Sequence, residues 1–296
     1  MKISMSSDYF LNFGKNTVEE LDAAFKRMSE LGFEAIDLSG CVGDFYSKPE
    51  EEKIERYKAV KAAADKWGIE IGQFHAPFPS FYKDEETNAR LNKEICECIR
   101  ACKILDCPYI VIHPAFFRYE ERMDAETEWE TNIKFYSSFI DVAKESGVKI
   151  CLENMFTNFK GHIIGACCSD TYEAVAYIEE LNGIAGENLF CFCFDSGHIN
   201  LLGKNMYNAI VELGDVIETL HVHDNYGNDR DSHDVPYSGN TDWDSFIEGL
   251  KAIGYKGNMN FEIGAAAITK YPKDIQNSAL KLLSETGRYF RKEIIG

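Results

Sequence analysis

The chain has 296 residues, 45% of them hydrophobic, which supplies a full core and lies within reach of one large α/β barrel of about 250 residues. Its 31 basic and 49 acidic residues leave a net charge of −18, so it repels polyanions at long range, and DNA, RNA and anionic membranes are poor partners for it. The opening MKISMSSDYFLNFG lacks the basic-then-apolar pattern of a signal peptide, and no apolar run reaches the roughly 20 residues that cross a bilayer, so the expected location is the cytoplasm.

Short β-branched or aromatic runs alternate with stretches of helical period from one end to the other. The strand candidates, in order, are KISMS (2–6), AIDLS (35–39), IEIGQFH (69–75), YIVIHP (109–114), KICLEN (149–154), LFCFCFD (189–195), ETLHVHD (218–224) and NMNFEIG (258–264). Between the first two, residues 18–32 read as a helix, with Leu21, Ala24, Phe25, Met28 and Leu31 on one face and Gly32 able to end it. Residues 91–107 read as a helix burying Ile95, Cys98, Ile99 and Cys102. This segment carries Cys96, Cys98, Cys102 and Cys107 without the paired C-x-x-C spacing of a zinc site. Residues 169–183 open with Ser-Asp at capping positions and end in Asn-Gly, a surface helix. Cys151, Cys191 and Cys193 sit inside apolar strand-like runs, where a thiol serves as a small hydrophobe. Nothing resembling a linker divides the chain. Eight β-then-α units, with middle strands apolar on both faces, predict a single-domain (β/α)8 TIM barrel over 1–296.

In such a barrel, chemistry sits at the C-terminal strand ends and the loops after them. Those positions hold His75, His113, Glu153, Asp195 with His198 one turn on, His221 followed by Asp231 and His233, and Glu262. A single strand-end histidine is more often a hydrogen-bonded structural residue. Glu153 and Glu262 differ, because each follows an apolar run, and a bare carboxylate buried there costs several kcal/mol unless a cation compensates it. Two Glu, one Asp and one His suit Mg²⁺, Mn²⁺, Co²⁺ or Zn²⁺, which makes Glu153, Asp195, His221 and Glu262 the minimal metal set. Strand alternation sends His221 and His223 to the same side, so His223 competes for that role. Of the remaining loop acids, Asp224, Asp229 and Asp234 read as capping or solvated charge. Phe78, Phe81, Tyr82, Phe116 and Phe117 read as an apolar wall or as rim packing, and Arg230 as a contact for a substrate carboxylate or phosphate or as a solvated side chain.

The strings LEN, FDSGH, HVHDN, DSHDVPYSG and FEIG, in this order and at these strand ends, resemble the xylose isomerase-like TIM-barrel superfamily of sugar isomerases and epimerases, which also holds the endonuclease IV type of DNA repair enzyme. The resemblance implies one divalent ion on Glu153, Asp195, His221 and Glu262, with His198 contacting a substrate oxygen. Its nuclease branch implies three Zn²⁺ on nine ligands: His75, His113, Glu153, Asp195, His198, His221, Asp231, His233 and Glu262. Four carboxylates around three Zn²⁺ leave about +2, which draws a phosphodiester, whereas three around one divalent ion leave about −1, which suits a neutral sugar. The rim loops are aromatic and acidic rather than basic, which disfavours a nucleic-acid grip.

The expectation is therefore a metal-dependent isomerase or epimerase acting on a sugar or sugar phosphate. Protons would move through a metal-stabilised enediolate between Glu153 and Glu262, with His198 assisting and His75, His113, Asp231, His233 and Arg230 as substrate contacts or further metal ligands. The alternatives are a trinuclear zinc phosphodiesterase and an inosose-type dehydratase. The expected partner is a small carbohydrate, and homo-oligomerisation is left open.

Overall fold

A computed structural model describes residues 1–40, 43–228 and 230–296. Eight strands form one parallel sheet: β1 (Ile3–Ser6), β2 (Ala35–Ser39), β3 (Glu70–His75), β4 (Tyr109–Val111), β5 (Lys149–Glu153), β8 (Phe190–Asp195), β9 (Ile217–His221) and β10 (Met259–Phe261). The order is β10-β1-β2-β3-β4-β5-β8-β9. Among the described residues a single bridge, Val222 to Phe261, brings β9 and β10 together and closes the barrel. It consists of Val222 N–H donating to Asn260 O (2.9 Å) and Glu262 N–H donating to Val222 O (3.1 Å).

The sequence reading misses one element, an antiparallel hairpin of β6 (Phe156–Phe159) and β7 (His162–Gly165) that follows β5 directly. Its residues are mostly partly buried, with Thr157 buried and His162 exposed, and mixed in polarity, so neither a helical nor a buried-strand period marks them.

The helices are α1 (Val18–Leu31), α2 (Glu50–Lys66), α3 (Glu85–Leu105), α4 (Ala125–Ser137), α5 (Ile140–Ser146), α6 (Thr171–Ala185), α7 (Ser196–Leu201), α8 (Met206–Leu213), α9 (Trp243–Ala252), α10 (Ala265–Thr269) and α11 (Gln276–Ile295). α1 opens on a capping box of Thr17 and Glu20 and ends at Gly32, whose φ of 89° is the left-handed conformation that closes helices. α6 runs past the expected Asn-Gly stop. Asp170 caps its start, and Gly186 at φ 72° ends it two residues beyond the last expected one. α3 buries Ile95, Cys98, Ile99 and Cys102 as its period predicts.

Strand alternation sorts the core into two compartments. Outward residues such as Phe190, Phe192 and Phe194 meet the helices in the main hydrophobic cluster. Inward residues divide by strand. Val111, Cys151, Cys191 and Cys193 form a small apolar cluster of their own on one side of the barrel interior. Ser4, Asp37, Gln73 and Asn260 form a buried polar network on the other, in which Asp37 Oδ2 accepts from Gln73 Nε2 (3.0 Å) and Asn260 Nδ2 (3.1 Å), and Asn260 Oδ1 accepts from Ser4 Oγ (2.8 Å). Among the described residues no helix is long and apolar enough to cross a membrane.

Candidate metal and substrate site

Four of the expected side chains are the last residues of their strands: His75 on β3, Glu153 on β5, Asp195 on β8 and His221 on β9. Two lie beyond the ladders. β10 stops one residue before Glu262, and β4 stops two before His113, near Pro114, which has no N–H to continue a ladder. The predicted strands 109–114, 149–154, 218–224 and 258–264 therefore run long at their C-terminal ends, where the chain leaves the sheet to form the site, while those ending at His75 and Asp195 stop where expected.

The sequence strings prove to be clamps between neighbouring strand ends. Asn154 of LEN binds the Asp195 backbone on both sides, donating to its carbonyl and accepting from its N–H, each at 2.9 Å. Asp195 caps α7, its Oδ1 accepting from His198 N–H at 2.7 Å, which sets His198 one turn away. Ser196 of FDSGH bonds the His223 backbone, with Oγ donating to His223 O (3.1 Å) and accepting from His223 N–H (3.2 Å). Gly197 is required by close approach, because a Cβ there would overlap the His223 imidazole. Asp224 is buried and accepts from the N–H groups of Asn225, Gly239 and Thr241 and from the Trp243 indole, so it organises the loop from within rather than being a solvated charge. Asp234 pairs with Lys270 at 3.0 Å. Asp229 lies outside the described residues.

Seven of the nine expected donors line one cleft, with Asp195 and His221 fully buried behind them, and they fall into groups joined by Glu153. His113 Nε2 stands 2.9 Å from His75 Nε2 and 3.0 Å from Glu153 Oε2. The other Glu153 oxygen lies 3.2 Å from His221 Nδ1, which is 3.7 Å from Glu262 Oε2. Across the cleft, Asp231 Oδ2 sits 2.7 Å from His233 Nε2 and 3.5 Å from His198 Nε2. Both loop histidines do point to the same side, but they divide the work. His221 faces the two glutamates, while His223 Nε2 meets Asp195 Oδ2 (3.1 Å) and its ring stacks on His233 with centroids 3.9 Å apart.

Tautomers follow from the backbone. His75, His198 and His233 each place Nδ1 against a backbone carbonyl, of Ala76 (2.7 Å), Asn154 (2.8 Å) and Glu262 (3.0 Å) respectively. Each Nδ1 therefore carries a proton and Nε2 turns into the cleft, the orientation of a metal-ligating histidine, with Nε2 free to bind an ion once its own proton is displaced. His221 is turned the other way. Its Nε2 lies 3.3 Å from Asp37 Oδ2 and its Nδ1 faces Glu153 and Glu262, with neither nitrogen hydrogen-bonded. Asp37 is a site residue that sequence reading misses; the available signal was a carboxylate in the middle of a strand buried on both faces.

Electrostatics are those of an ion-pair cluster. Burial opposes ionisation of Glu153, yet His221 and His113 outweigh it and hold its carboxyl well below the usual range. Burial also opposes the charged form of His198, but Asp195 and Asp231 raise it to about 10. His233 is pushed up to about 10 against burial by Glu262 and Asp231. His75 is lowered by burial and by His113 and His221, and so stays neutral.

The donors fit a divalent metal. Glu153 Oε2, both His221 nitrogens and Asp231 Oδ1 are buried without a hydrogen-bond partner, an arrangement that is costly unless a cation fills it. His75, Glu153 and His221, then Glu153, Asp195 and His198, then Asp195, His221 and Glu262, and finally His198, His223, Asp231 and His233, each place ligand atoms within 4.8 Å of one another. Carboxylate with imidazole suits Mn²⁺, Co²⁺ or Zn²⁺.

Above these donors opens a cavity of about 490 Å³, in the range of small-molecule sites. Phe78 and Phe116 line it as expected. Phe81, Tyr82 and Phe117 do not, since Phe81 packs on Phe117 and Phe135. In their place the hairpin contributes Phe156, Thr157, Asn158 and Ile163, and Phe156 sets its ring 4.9 Å from that of His198. Arg230 is at the rim, exposed, as is Arg118, which sequence reading passed over.

Comparison with known proteins bears on this arrangement. Residues 25–285 match the family described as xylose isomerase-like TIM barrel. An uncharacterized protein of Methanocaldococcus jannaschii is 30% identical over 292 residues, 96% of this chain and 91% of its own. Among solved structures, D-psicose 3-epimerase of Clostridium cellulolyticum H10 aligns with a TM-score of 0.73 at 17% identity, covering 98% of this chain and 99% of its own. The 3-keto-D-glucoside 4-epimerase of E. coli aligns at 0.72 with 19% identity, covering 96% and 99%. At these identities the likeness to solved structures establishes the barrel.

Proposed function

The chain belongs to the xylose isomerase-like TIM-barrel family, and from that premise we propose that it is a divalent-metal-dependent isomerase or epimerase of a sugar or sugar phosphate. The observation that carries the reading is the pair of carboxylates, Glu153 and Glu262, set on one histidine nitrogen at 3.2 and 3.7 Å beneath a small-molecule cavity. The sugar epimerases among the fold neighbours support it.

Glu153, Asp195, His221 and Glu262 would hold the ion. When bound there, a divalent ion polarises a carbonyl and its neighbouring hydroxyl and so acidifies the adjacent C–H. The chain's own groups do the rest. Glu262 is 20% exposed toward the cavity and Glu153 only 1%, so Glu262 is the carboxylate with freedom to take the proton. Glu153, against the same His221 nitrogen and ionised at rest, takes a proton from solvent and returns it to carbon. Return to the opposite face gives an epimer, and return to the neighbouring carbon gives an aldose–ketose pair. His198, anchored through Nδ1 on Asn154 O, turns Nε2 toward the cleft to orient a substrate hydroxyl. Phe156 and Phe78 shield the reacting carbon from water.

The test is incubation with a panel of ketoses and aldoses, Mn²⁺ and D₂O. The expected result is deuterium at one carbon of an accepted sugar, abolished by Glu262→Gln. Absence of exchange with every sugar would overturn the reading. The same abstraction followed by loss of a hydroxyl would be dehydration of a cyclic polyol, and product analysis separates the two.

One observation favours the phosphodiesterase as a second reading: His75, His113 and Glu153 on one side, and His198, Asp231 and His233 on the other, complete the donors for three ions. Three Zn²⁺ per chain together with cleavage of an abasic-site oligonucleotide would promote that reading over the first.

A further inference from the structure

We infer that the substrate carries an anionic terminus, a carboxylate or a phosphate monoester, which docks on Arg118 at the cavity rim with Arg230 as a second guanidinium. The reaction chemistry rests on the isomerase reading above; the anion subsite rests on the rim alone.

Arg118 lies on the segment between β4 and α4, and that segment is tied down at three points. Asn132 of α4 grips Ala115, accepting from its N–H at 2.7 Å and donating to its carbonyl at 3.0 Å. Tyr119 N–H donates to Thr157 Oγ1 of the hairpin at 3.0 Å. Arg122 is held between Glu128 and Glu173. On this fixed segment the Arg118 guanidinium lies over two rings, 5.5 Å from the Phe78 centroid and 4.8 Å from that of Tyr119. The two rings flank a planar, permanently charged fork that has no carboxylate partner among the described residues, and such a fork suits bidentate capture of a carboxylate or phosphate.

The charges nearby make the free edge informative. The chain has 49 acidic residues, and the neighbouring cations are occupied: Arg122 by two glutamates and Lys83 by Glu120. Arg118 and Arg230 have no carboxylate partner among the described residues, yet both line the cavity. Phe78 connects the subsite to the reaction centre, since its far side meets the His113 ring at 4.4 Å. Apart from exposed Asp8, the lining carboxylates lie at the floor and the two guanidiniums at the rim, which gives the cavity a direction. A sugar enters with its reacting carbon inward and its charge outward, away from Glu153, Asp231 and Glu262.

Calorimetric titration of the metal-loaded protein compares three probes: fructose, fructose 6-phosphate and a hexuronate. The expected result is at least tenfold tighter binding of one or both anionic sugars than of fructose. Arg118→Ala should weaken the anionic probe at least tenfold more than fructose, and Arg118→Lys, which keeps the charge but loses the fork, should fall between. Which anion benefits decides between phosphate and carboxylate. Equal affinity for all three in the unaltered protein, or equal weakening of all three in Arg118→Ala, overturns the subsite. Because titration needs no turnover, anion selectivity without deuterium exchange would sink the isomerase reading alone. Exchange without anion selectivity would sink the subsite alone.

Discussion

Replacing Asp37 with asparagine removes one charge from beneath the metal site and little else. Asp37 Oδ2 is 3.3 Å from His221 Nε2 and also accepts from Gln73 and Asn260. An asparagine Oδ1 can still take both amide donors, so the polar network inside the barrel keeps its bonds. What is lost is the carboxylate charge 3.3 Å from His221 Nε2, which favours a proton on that nitrogen and so favours Nδ1, facing Glu153 and Glu262, as the one that binds an ion. Carboxylates in this position behind a metal-binding histidine contribute about 10- to 100-fold to metal affinity, or about 1.4 to 2.8 kcal/mol. Asp37→Asn is therefore expected to weaken Mn²⁺ or Zn²⁺ binding by that factor in competition with a chromogenic chelator, with the melting temperature of the metal-free protein nearly unchanged. Asp37→Ala is the contrast: it strands two buried amides and costs about 1–3 kcal/mol of stability as well. Metal affinity within twofold of the unaltered protein in Asp37→Asn, alongside loss of binding in His221→Ala, would refute the reasoning.

Three further outcomes are expected. Stripping metal with a chelator should lower the melting temperature, and restoring an ion to a thousandfold over its Kd should return about 4 kcal/mol; an unchanged melting temperature in differential scanning calorimetry would count against a metal site. Gly197→Ala should push the His223 ring off α7, break its 3.1 Å contact with Asp195 and lower metal affinity, whereas binding unchanged in calorimetry would show that His223 has no part in it. Asp84, Asp124 and Asp242 accept N–H groups at the starts of α3, α4 and α9, and those bonds hold their carboxyls below the ordinary value. A depressed folded pKa gives stability that is complete above the unfolded value of about 4 and lost as pH falls through the lower folded one. Serine at positions 84 and 124 caps without titrating, so the double variant should lose less melting temperature than the unaltered protein between about pH 5 and pH 3, and equal losses would refute the capping account.

Much of this architecture is legible in the chain because parallel barrels write themselves as apolar runs separated by amphipathic helices, and because strand ends are fixed by those runs. The nine ionisable donors could be placed at one mouth for the same reason. Three things could not be read. The hairpin over the cavity has the mixed composition of any surface loop. Asp37 sits in AIDLS, where alternation says that it points inward, but nothing local says that His221 from a strand far along the chain will stand above it. The aromatic rim residues share a composition, and only the three-dimensional path separates Phe78 and Phe116, which line the cavity, from Phe81 and Phe117, which pack against each other.

The barrel is closed by one bridge, and the residues on either side of that seam are His221 and Glu262, each adjacent to a residue of the Val222–Phe261 pair. An ion gripped by both would act as a rivet across the weakest joint of the cylinder. Ligand-free chains should then breathe along this line first, so that amide protons of Val222 and Glu262 exchange early while those of β5 and β8 stay protected. The mouth of the barrel would thus be the place where occupancy of the site is converted into mechanical tightness of the whole wall.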